Sequence, residues 1–266
     1  MRHTAGTAIF DLDGVLYLGS HGIPGAAASL RTLEEGGWSI VFATNNSTKT
    51  PEVAAQHIFA STGYRASPSQ AVTSTMAAVS YARGRHASAF VVGPPSLTDS
   101  LARAGITLVT DPDEHPDAVI VGLDRSITYD AIDRAGRAIR AGSEFIATNI
   151  DPTYPTPSGL SPGAGALVAA IAAASGCTPI SCGKPGEVFS SLLTAKLGDG
   201  PVWVIGDRLD TDIALASANG WQSILVLTGV TKDADLIGQE YAPDVVVASI
   251  VDVPQVINTT PARPAR

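Results

Sequence analysis

Three polar clusters stand directly after apolar runs, and together with one lysine they could handle a phosphoryl group. The clusters are Phe10-Asp11-Leu12-Asp13-Gly14, Ala43-Thr44-Asn45-Asn46-Ser47 and Ile205-Gly206-Asp207-Arg208-Leu209-Asp210-Thr211-Asp212. The lysine is Lys184, in the tight turn Cys182-Gly183-Lys184-Pro185 ahead of a helical pattern. If these segments meet at one edge, Asp11, Asp13, Asp207 and Asp212 crowd up to four carboxylates into a small volume. Two such charges about 4 Å apart repel by roughly 4 kcal/mol at an effective dielectric near 20. A hard, oxygen-preferring cation resolves that repulsion. Magnesium suits the set, because a few carboxylates hold it while waters and a phosphate oxygen complete its shell. With Lys184 and a threonine hydroxyl beside the metal, a phosphoryl group can be gripped. A carboxylate can attack phosphorus to give an aspartyl phosphate. A second carboxylate two residues on shares its face if the strand's pleat continues, and there it can protonate the leaving oxygen and later deprotonate a water.

Each signal is weak by itself. An Asp-x-Asp at a strand end is usually turn or cap chemistry, and Thr-Asn-Asn is commonly capping chemistry too. A single lysine is ordinarily a solvated charge, and Gly-Asp-x-x-x-Thr-Asp also fits an N-cap with acids suited to the helix dipole. The catalytic reading rests on all of them occurring in this order, each behind an apolar strand.

The elements that must position these residues follow from periodicity. Thr7–Phe10, Trp38–Ala43, Ala89–Val92, Ala118–Val121, Val202–Ile205 and Ser223–Leu227 read as short buried strands. Helical patterns cover Ala26–Glu35, Pro51–Ser61, Leu97–Ala104, Tyr129–Ala141, Gly165–Ser175, Glu187–Lys196 and Thr211–Asn219. This alternation predicts an α/β fold with a mostly parallel, doubly wound sheet, which places ligands beyond the carboxyl ends of its strands. Polar seams at Arg83–Ala87 and Pro179–Pro185 divide the chain. Residues 1–80 and 183–258 are expected to form the core, 81–182 an inserted α/β domain, and 259–266 a disordered tail.

Composition narrows the function. In 266 residues, 45% are hydrophobic and 16% charged, so a large core can be buried. A net charge of −8 argues against nucleic acid, which requires a basic footprint. No apolar run reaches the length of a membrane span, and Met1–Ala8 lacks an apolar signal core, so a cytoplasmic location is expected. Cys177 and Cys182 fit neither a redox pair nor a zinc site and are expected to be small buried residues. His3, His21, His57, His86 and His115 lie in polar stretches and are expected at the surface, while the three tryptophans are expected to pack.

Asp11-Leu12-Asp13-Gly14-Val15-Leu16, Thr44-Asn45-Asn46-Ser47, Gly183-Lys184-Pro185 and Gly206–Asp212 resemble the four motifs of the haloacid dehalogenase superfamily phosphatases. The resemblance runs from about Thr7 to Asp252 and is strongest to the NagD-like branch, which includes para-nitrophenyl phosphate, phosphoglycolate, glycerol phosphate and pyridoxal phosphate phosphatases. Val121-Gly122-Leu123-Asp124, Ala147-Thr148-Asn149-x-Asp151 and Pro162-Gly163-x-Gly165 resemble that branch's large α/β cap. The resemblance implies Asp11 as nucleophile and Asp13 as acid/base. Asp11, Asp207 and the backbone carbonyl of Asp13 would bind Mg2+, and Thr44, the Asn45–Asn46 region and Lys184 would hold the phosphoryl oxygens. Asp212 would orient Lys184 or a metal-bound water, and Asp210 would have no catalytic part. Asp151–Pro155 matches the loop that reaches over the substrate; Tyr154 stands where pyridoxal phosphate phosphatases carry a histidine, against the pyridoxal reading. The expected partner is a small phosphorylated metabolite, with glycerol phosphate, phosphoglycolate, a nucleotide and a sugar phosphate all open; a homodimer is compatible with this reading. The alternatives are a phosphorylated signalling module, which would be shorter and lack an Asp13 equivalent, and a catalytically silent phosphate-binding member.

Overall fold

A computed structural model describes residues 5–156, 159–261 and 263. The chain divides into two compact units, one comprising Met1–Thr44, Pro51–Val72 and Ser190–Arg266, the other Asn45–Thr50 and Thr73–Phe189. The second unit therefore takes in the whole of 81–182 together with 45–50, 73–80 and 183–189.

The first unit is built on a six-stranded sheet ordered Val245–Val247, Gln222–Val226, Val202–Gly206, Gly6–Phe10, Trp38–Thr44, Ala71–Thr73. Gly6–Phe10 pairs in parallel with Val202–Gly206 on one side, Thr7 opposite Val202, and with Trp38–Thr44 on the other, Thr7 opposite Ser39. Counted along the chain, the sheet's strands run 6-5-4-1-2-3, so the order reverses between Gly6–Phe10 and Val202–Gly206. A crevice opens at such a reversal because the flanking connections leave to opposite faces. The two central strands are apolar on both sides, as burial in a parallel sheet demands. Phe10, Leu12, Leu16, Phe42, Leu30 and Trp203 fill the core beneath them.

The second unit has an all-parallel sheet of five strands, ordered Ile180–Ser181, Glu144–Ala147, Ala118–Val121, Ser88–Val92, Thr107–Val109. The chain-order sequence 5-4-3-1-2 again contains a reversal point, between Ser88–Val92 and Ala118–Val121. Helices Tyr129–Arg140 and Ala164–Ser175 cover it, contributing Ala135, Ile139, Val168 and Ile171 to a core with Phe90, Val119 and Phe145. Thr128 starts the first of these helices, its Oγ1 accepting the Ala131 N–H at 3.1 Å.

The α/β class and parallel sheet agree with the alternation in the sequence. The expected helix Thr211–Asn219 begins two residues earlier, its first turn Leu209–Ile213 widened to a π-helical turn that runs directly into the α-helix Ala214–Asn219. The strand Ala71–Thr73 and helix Ser74–Ala82 went unforeseen. Thr73 ends the strand and caps the helix at once, its Oγ1 accepting the Met76 N–H, so no glycine or proline marks the boundary. Cys177 is exposed rather than buried, beyond the glycine that ends its helix. His57 and His86 are partly buried, contrary to a surface placement. His57 stands edge-on to Tyr17, and His86 Nε2 meets Glu144 Oε2 at 2.6 Å. Of the tail 259–266, Gln222 holds two described residues: its Nε2 donates to Pro261 O at 3.1 Å and its Oε1 accepts Arg263 N at 3.1 Å. Residues 262 and 264–266 lie outside the described residues. Among the described residues no helix is long and apolar enough to cross a membrane.

Candidate active site

In the first unit, the strand reversal gathers carboxylates. Asp11 continues the central ladder, donating its N–H to Ile205 O at 2.8 Å, so its side chain leaves the carboxyl end of Gly6–Phe10. Asp207 follows the neighbouring strand directly, and Asp212 returns from the wide turn after it. One carboxylate oxygen from each of Asp11, Asp207 and Asp212 lies within 4.8 Å of the others. Three charges at that spacing repel by about 3–4 kcal/mol per pair at an effective dielectric near 20. Asp207 and Asp212, only 2% and 1% exposed, have little water to relieve them. An all-oxygen donor set of this kind fits a hard divalent cation such as magnesium.

The same two aspartates are fixed by backbone that comes unusually close. Asp207 Oδ2 accepts the Val230 N–H at 2.6 Å, and its carbonyl accepts the Thr231 N–H at 3.1 Å. Asp212 Oδ2 accepts the Arg208 N–H at 3.2 Å. A Cβ on Gly229 would lie 1.9 Å from Asp207 Oδ2, and one on Gly206 would lie 2.1 Å from the Asp212 Cβ. Both positions are therefore glycine by steric necessity. Thr228 Oγ1 donates to Gly14 O at 2.5 Å and ties this loop to the turn carrying Asp13. The loop Thr228–Thr231 is a functional element that sequence reasoning missed; its signal is a small, polar stretch directly after the apolar strand Gln222–Val226. Gly229→Ala is expected to push the Asp207 carboxylate aside and weaken magnesium binding by roughly 10- to 100-fold, the range for lost support of a ligand. Isothermal titration with magnesium chloride checks it.

Asp13 is half-buried in the turn that closes where Gly14 N donates to Tyr17 O at 2.8 Å. The Tyr17 phenol is buried in the same turn. Burial, then the charges of Asp13 and Asp11, push its pKa far above the usual value, so it stays protonated. Thr44 is buried at the end of the strand beside Gly6–Phe10. Asp210 turns outward to Arg208, with bonds of 3.1 and 2.8 Å, and stays out of the carboxylate cluster.

In the second unit, Asn45 and Lys184 are brought together although 139 positions apart. Asn45 Oδ1 accepts the Lys184 N–H at 2.8 Å, while Nδ2 donates to Lys184 O at 3.2 Å and to Asp151 Oδ1 at 2.9 Å. Asn149 Nδ2 donates to Asn45 O at 2.7 Å, and Ser74 Oγ donates to the same carbonyl at 2.7 Å. A Cβ on Gly183 would lie 2.7 Å from both Asn45 Oδ1 and the Asn149 Cβ. Asn46 folds on its own segment, its Oδ1 accepting from Thr48 N at 3.0 Å and Thr48 Oγ1 at 2.7 Å. Ser47 fills the sheet's reversal point: its Oγ accepts the Leu123 N–H, and its carbonyl accepts the hydroxyls of Thr75 and Ser96.

Tyr154 is half-buried on a hairpin, Thr153–Thr156 against Gly159–Pro162, where it pairs with Ser161. The Arg125 guanidinium sits over its ring, 5.2 Å from the centroid. Residues 157–158 lie outside the described residues. The hairpin's root is held by Gly163 N to Pro152 O at 2.8 Å and Gly165 N to Asp151 O at 2.9 Å, approaches a side chain at either glycine would block.

Two family models match the chain. One, described as haloacid dehalogenase-like hydrolase, covers residues 8–107, and a HAD-hydrolase-like model covers residues 181–253. A D-glycerol 3-phosphate phosphatase of Mycobacterium tuberculosis is 35% identical over 235 residues, 87% of this chain but 65% of that protein, just under two thirds of its length. An acid sugar phosphatase of Staphylococcus epidermidis is 34% identical over 244 residues, 88% of this chain and 91% of that protein. Among solved structures, a glycerol phosphate phosphatase of Mycobacterium tuberculosis in complex with magnesium superposes with a TM-score of 0.86 at 32% identity. That match covers 98% of this chain and 82% of the solved one.

Proposed function

The chain belongs to the haloacid dehalogenase-like hydrolases, and from that premise we propose that it is a magnesium-dependent phosphatase of small phosphomonoesters. The observation that carries this reading is the convergence of Asp11, Asp207 and Asp212 at the reversal point of the first sheet. Asp11, Asp207 and the carbonyl of Asp13 would hold the magnesium ion, with Asp212 orienting the groups around it. When bound, magnesium neutralises charge on the phosphoryl oxygens and on the carboxylates facing them.

The protein's own residues do the rest. A carboxylate oxygen of Asp11 attacks phosphorus, the bond from phosphorus to the ester oxygen breaks, and Asp13 gives its proton to the departing oxygen. A water then attacks the aspartyl phosphate, Asp13 takes the water's proton, and inorganic phosphate leaves with Asp11 restored. Thr44 and Lys184 grip the phosphoryl oxygens. Because both side-chain hydrogens of Asn45 go to Lys184 O and Asp151 Oδ1, its main-chain N–H is the donor it would offer substrate. The inserted segment 81–182 would choose the leaving group, and the relatives' names favour polyol and sugar phosphates as the first substrates to try. Purified protein with magnesium should hydrolyse para-nitrophenyl phosphate, and a panel of phosphomonoesters ranked by kcat/KM should place a glycerol or sugar phosphate high. No turnover of any phosphomonoester would refute the reading.

Tyr154 is proposed to touch the leaving group, its ring stiffened by Pro152, Pro155 and the stacked Arg125. Tyr154→Ala is expected to reorder the ranking of natural substrates, costing favoured ones roughly 5- to 150-fold in kcat/KM. Para-nitrophenyl phosphate, whose leaving group needs little help, should suffer much less. Equal slowing of every substrate would remove Tyr154 from specificity.

A further inference from the structure

We propose that Asn45 is a positioning residue whose amide fixes the backbone of Lys184 and so sets where the lysine delivers its ammonium group. The inference rests on the catalytic role proposed for Lys184. An amide nitrogen carries two hydrogens, and those of Asn45 go to Lys184 O and Asp151 Oδ1. Its oxygen takes the Lys184 N–H. The orientation is forced by the partners, since a reversed amide would set nitrogen against an N–H and oxygen against two acceptors. Asn45 thus grips both polar groups of one residue's backbone and has no side-chain donor to offer substrate.

The clamp is buried and braced on every side. Asn45 is 7% exposed, Asn149 4% and Lys184 2%. Asn149 and Ser74 hold the Asn45 carbonyl, and Asn149 Oδ1 accepts the Asp151 N–H at 3.1 Å. Gly183 lets the lysine turn press against Asn45 without a side chain between them. A lysine side chain has many rotamers, and only a fixed origin makes its reach reproducible. Asp151 is also the first residue of the loop carrying Tyr154, so the same amide ties that loop to the lysine turn.

A double-mutant cycle tests the proposal. Asn45→Ala, Lys184→Ala and the double variant are assayed with para-nitrophenyl phosphate and glycerol phosphate at saturating magnesium, with Tm recorded for each. Lys184→Ala should lose roughly 10²- to 10³-fold in kcat, the scale for removing a group that stabilises transition-state charge. Asn45→Ala should lose roughly 10- to 100-fold in kcat with little change in KM, as misplacement of a catalytic group does. The double variant should fall no more than about twofold below Lys184→Ala, because Asn45 acts through the lysine. A loss that recurs in full in the Lys184→Ala background, or Asn45→Ala activity within twofold of wild type, overturns the inference while leaving the phosphatase reading intact. Unchanged turnover in Lys184→Ala removes the lysine's catalytic role, and this inference falls with it. If Asn45→Ala does not fold, Asn45→Ser, which keeps a small polar group but cannot span both Lys184 and Asp151, is run through the same cycle and judged by the same criteria.

Discussion

Asp11→Asn is expected to abolish turnover of every phosphomonoester while leaving the fold intact. An amide cannot attack phosphorus at a useful rate, yet it has the shape of the carboxylate and keeps the backbone bond to Ile205 that extends the central ladder. The variant also removes one of three carboxylates held within 4.8 Å of one another, so thermal unfolding in chelator should show a Tm equal to or above wild type. A lowered Tm would mean the loss of activity reports damage rather than chemistry. Asp13→Asn should slow turnover by ~10²–10⁴-fold, the typical worth of general acid–base help. Quenching the wild-type reaction in acid and mapping labelled phosphate should place it on the peptide containing Asp11. Label on a serine or histidine would overturn the mechanism.

Removing magnesium is expected to have an effect of comparable size. Chelation should eliminate activity and added magnesium should restore it, with manganese or cobalt able to substitute. Calcium should bind but support little turnover, because its larger, looser shell lets carboxylates bind through both oxygens and misplaces the nucleophile. Asp207→Ala should raise the magnesium requirement steeply, since it deletes a ligand and strands the Val230 N–H that Asp207 Oδ2 now accepts at 2.6 Å. Asp210→Ala is the control. That residue faces Arg208 at the surface, its side chain 62% exposed, and its loss should barely move the magnesium titration. Activity in excess chelator equal to that in magnesium would contradict the metal site.

Much of this was legible in the sequence because it is local. An apolar strand ending in Asp11, and another ending in Gly206-Asp207, announce themselves within a few residues, and alternation with helices is enough to put both at the carboxyl edge of a parallel sheet. What stayed hidden depends on partners distant along the chain. Gly229 looks like any loop glycine until the fold sets it against Asp207, and Asn45 looks like capping chemistry until Lys184 arrives from 139 positions away. Ser74–Ala82 escaped for a different reason: its buried positions are Ser74, Thr75, Ala77, Ala78 and Ala82, small or polar side chains that make no one-sided apolar stripe for periodicity to detect. Tyr154 was found only through resemblance; spacing alone says nothing of the arginine stacked on it.

The neighbours of Gly6–Phe10 in the sheet also dictate when catalysis can begin during synthesis. Trp38–Thr44 emerges from the ribosome soon after the first strand, but the partner on the other side, in register from Thr7 opposite Val202, is translated only after all of 81–182. At about 5–20 residues per second, the first strand waits on the order of ten seconds or more with one edge unpaired. During that wait Asp11 has neither Asp207 nor Asp212 beside it. The five parallel strands between Ser88 and Ser181 need no pairing from the late segment and can close first. A nascent chain therefore carries Asp11 from the start but cannot assemble the carboxylate cluster until Asp212 has been made. Truncation before Val202 should yield a chain with a foldable second sheet, an aggregation-prone free edge and no phosphatase activity.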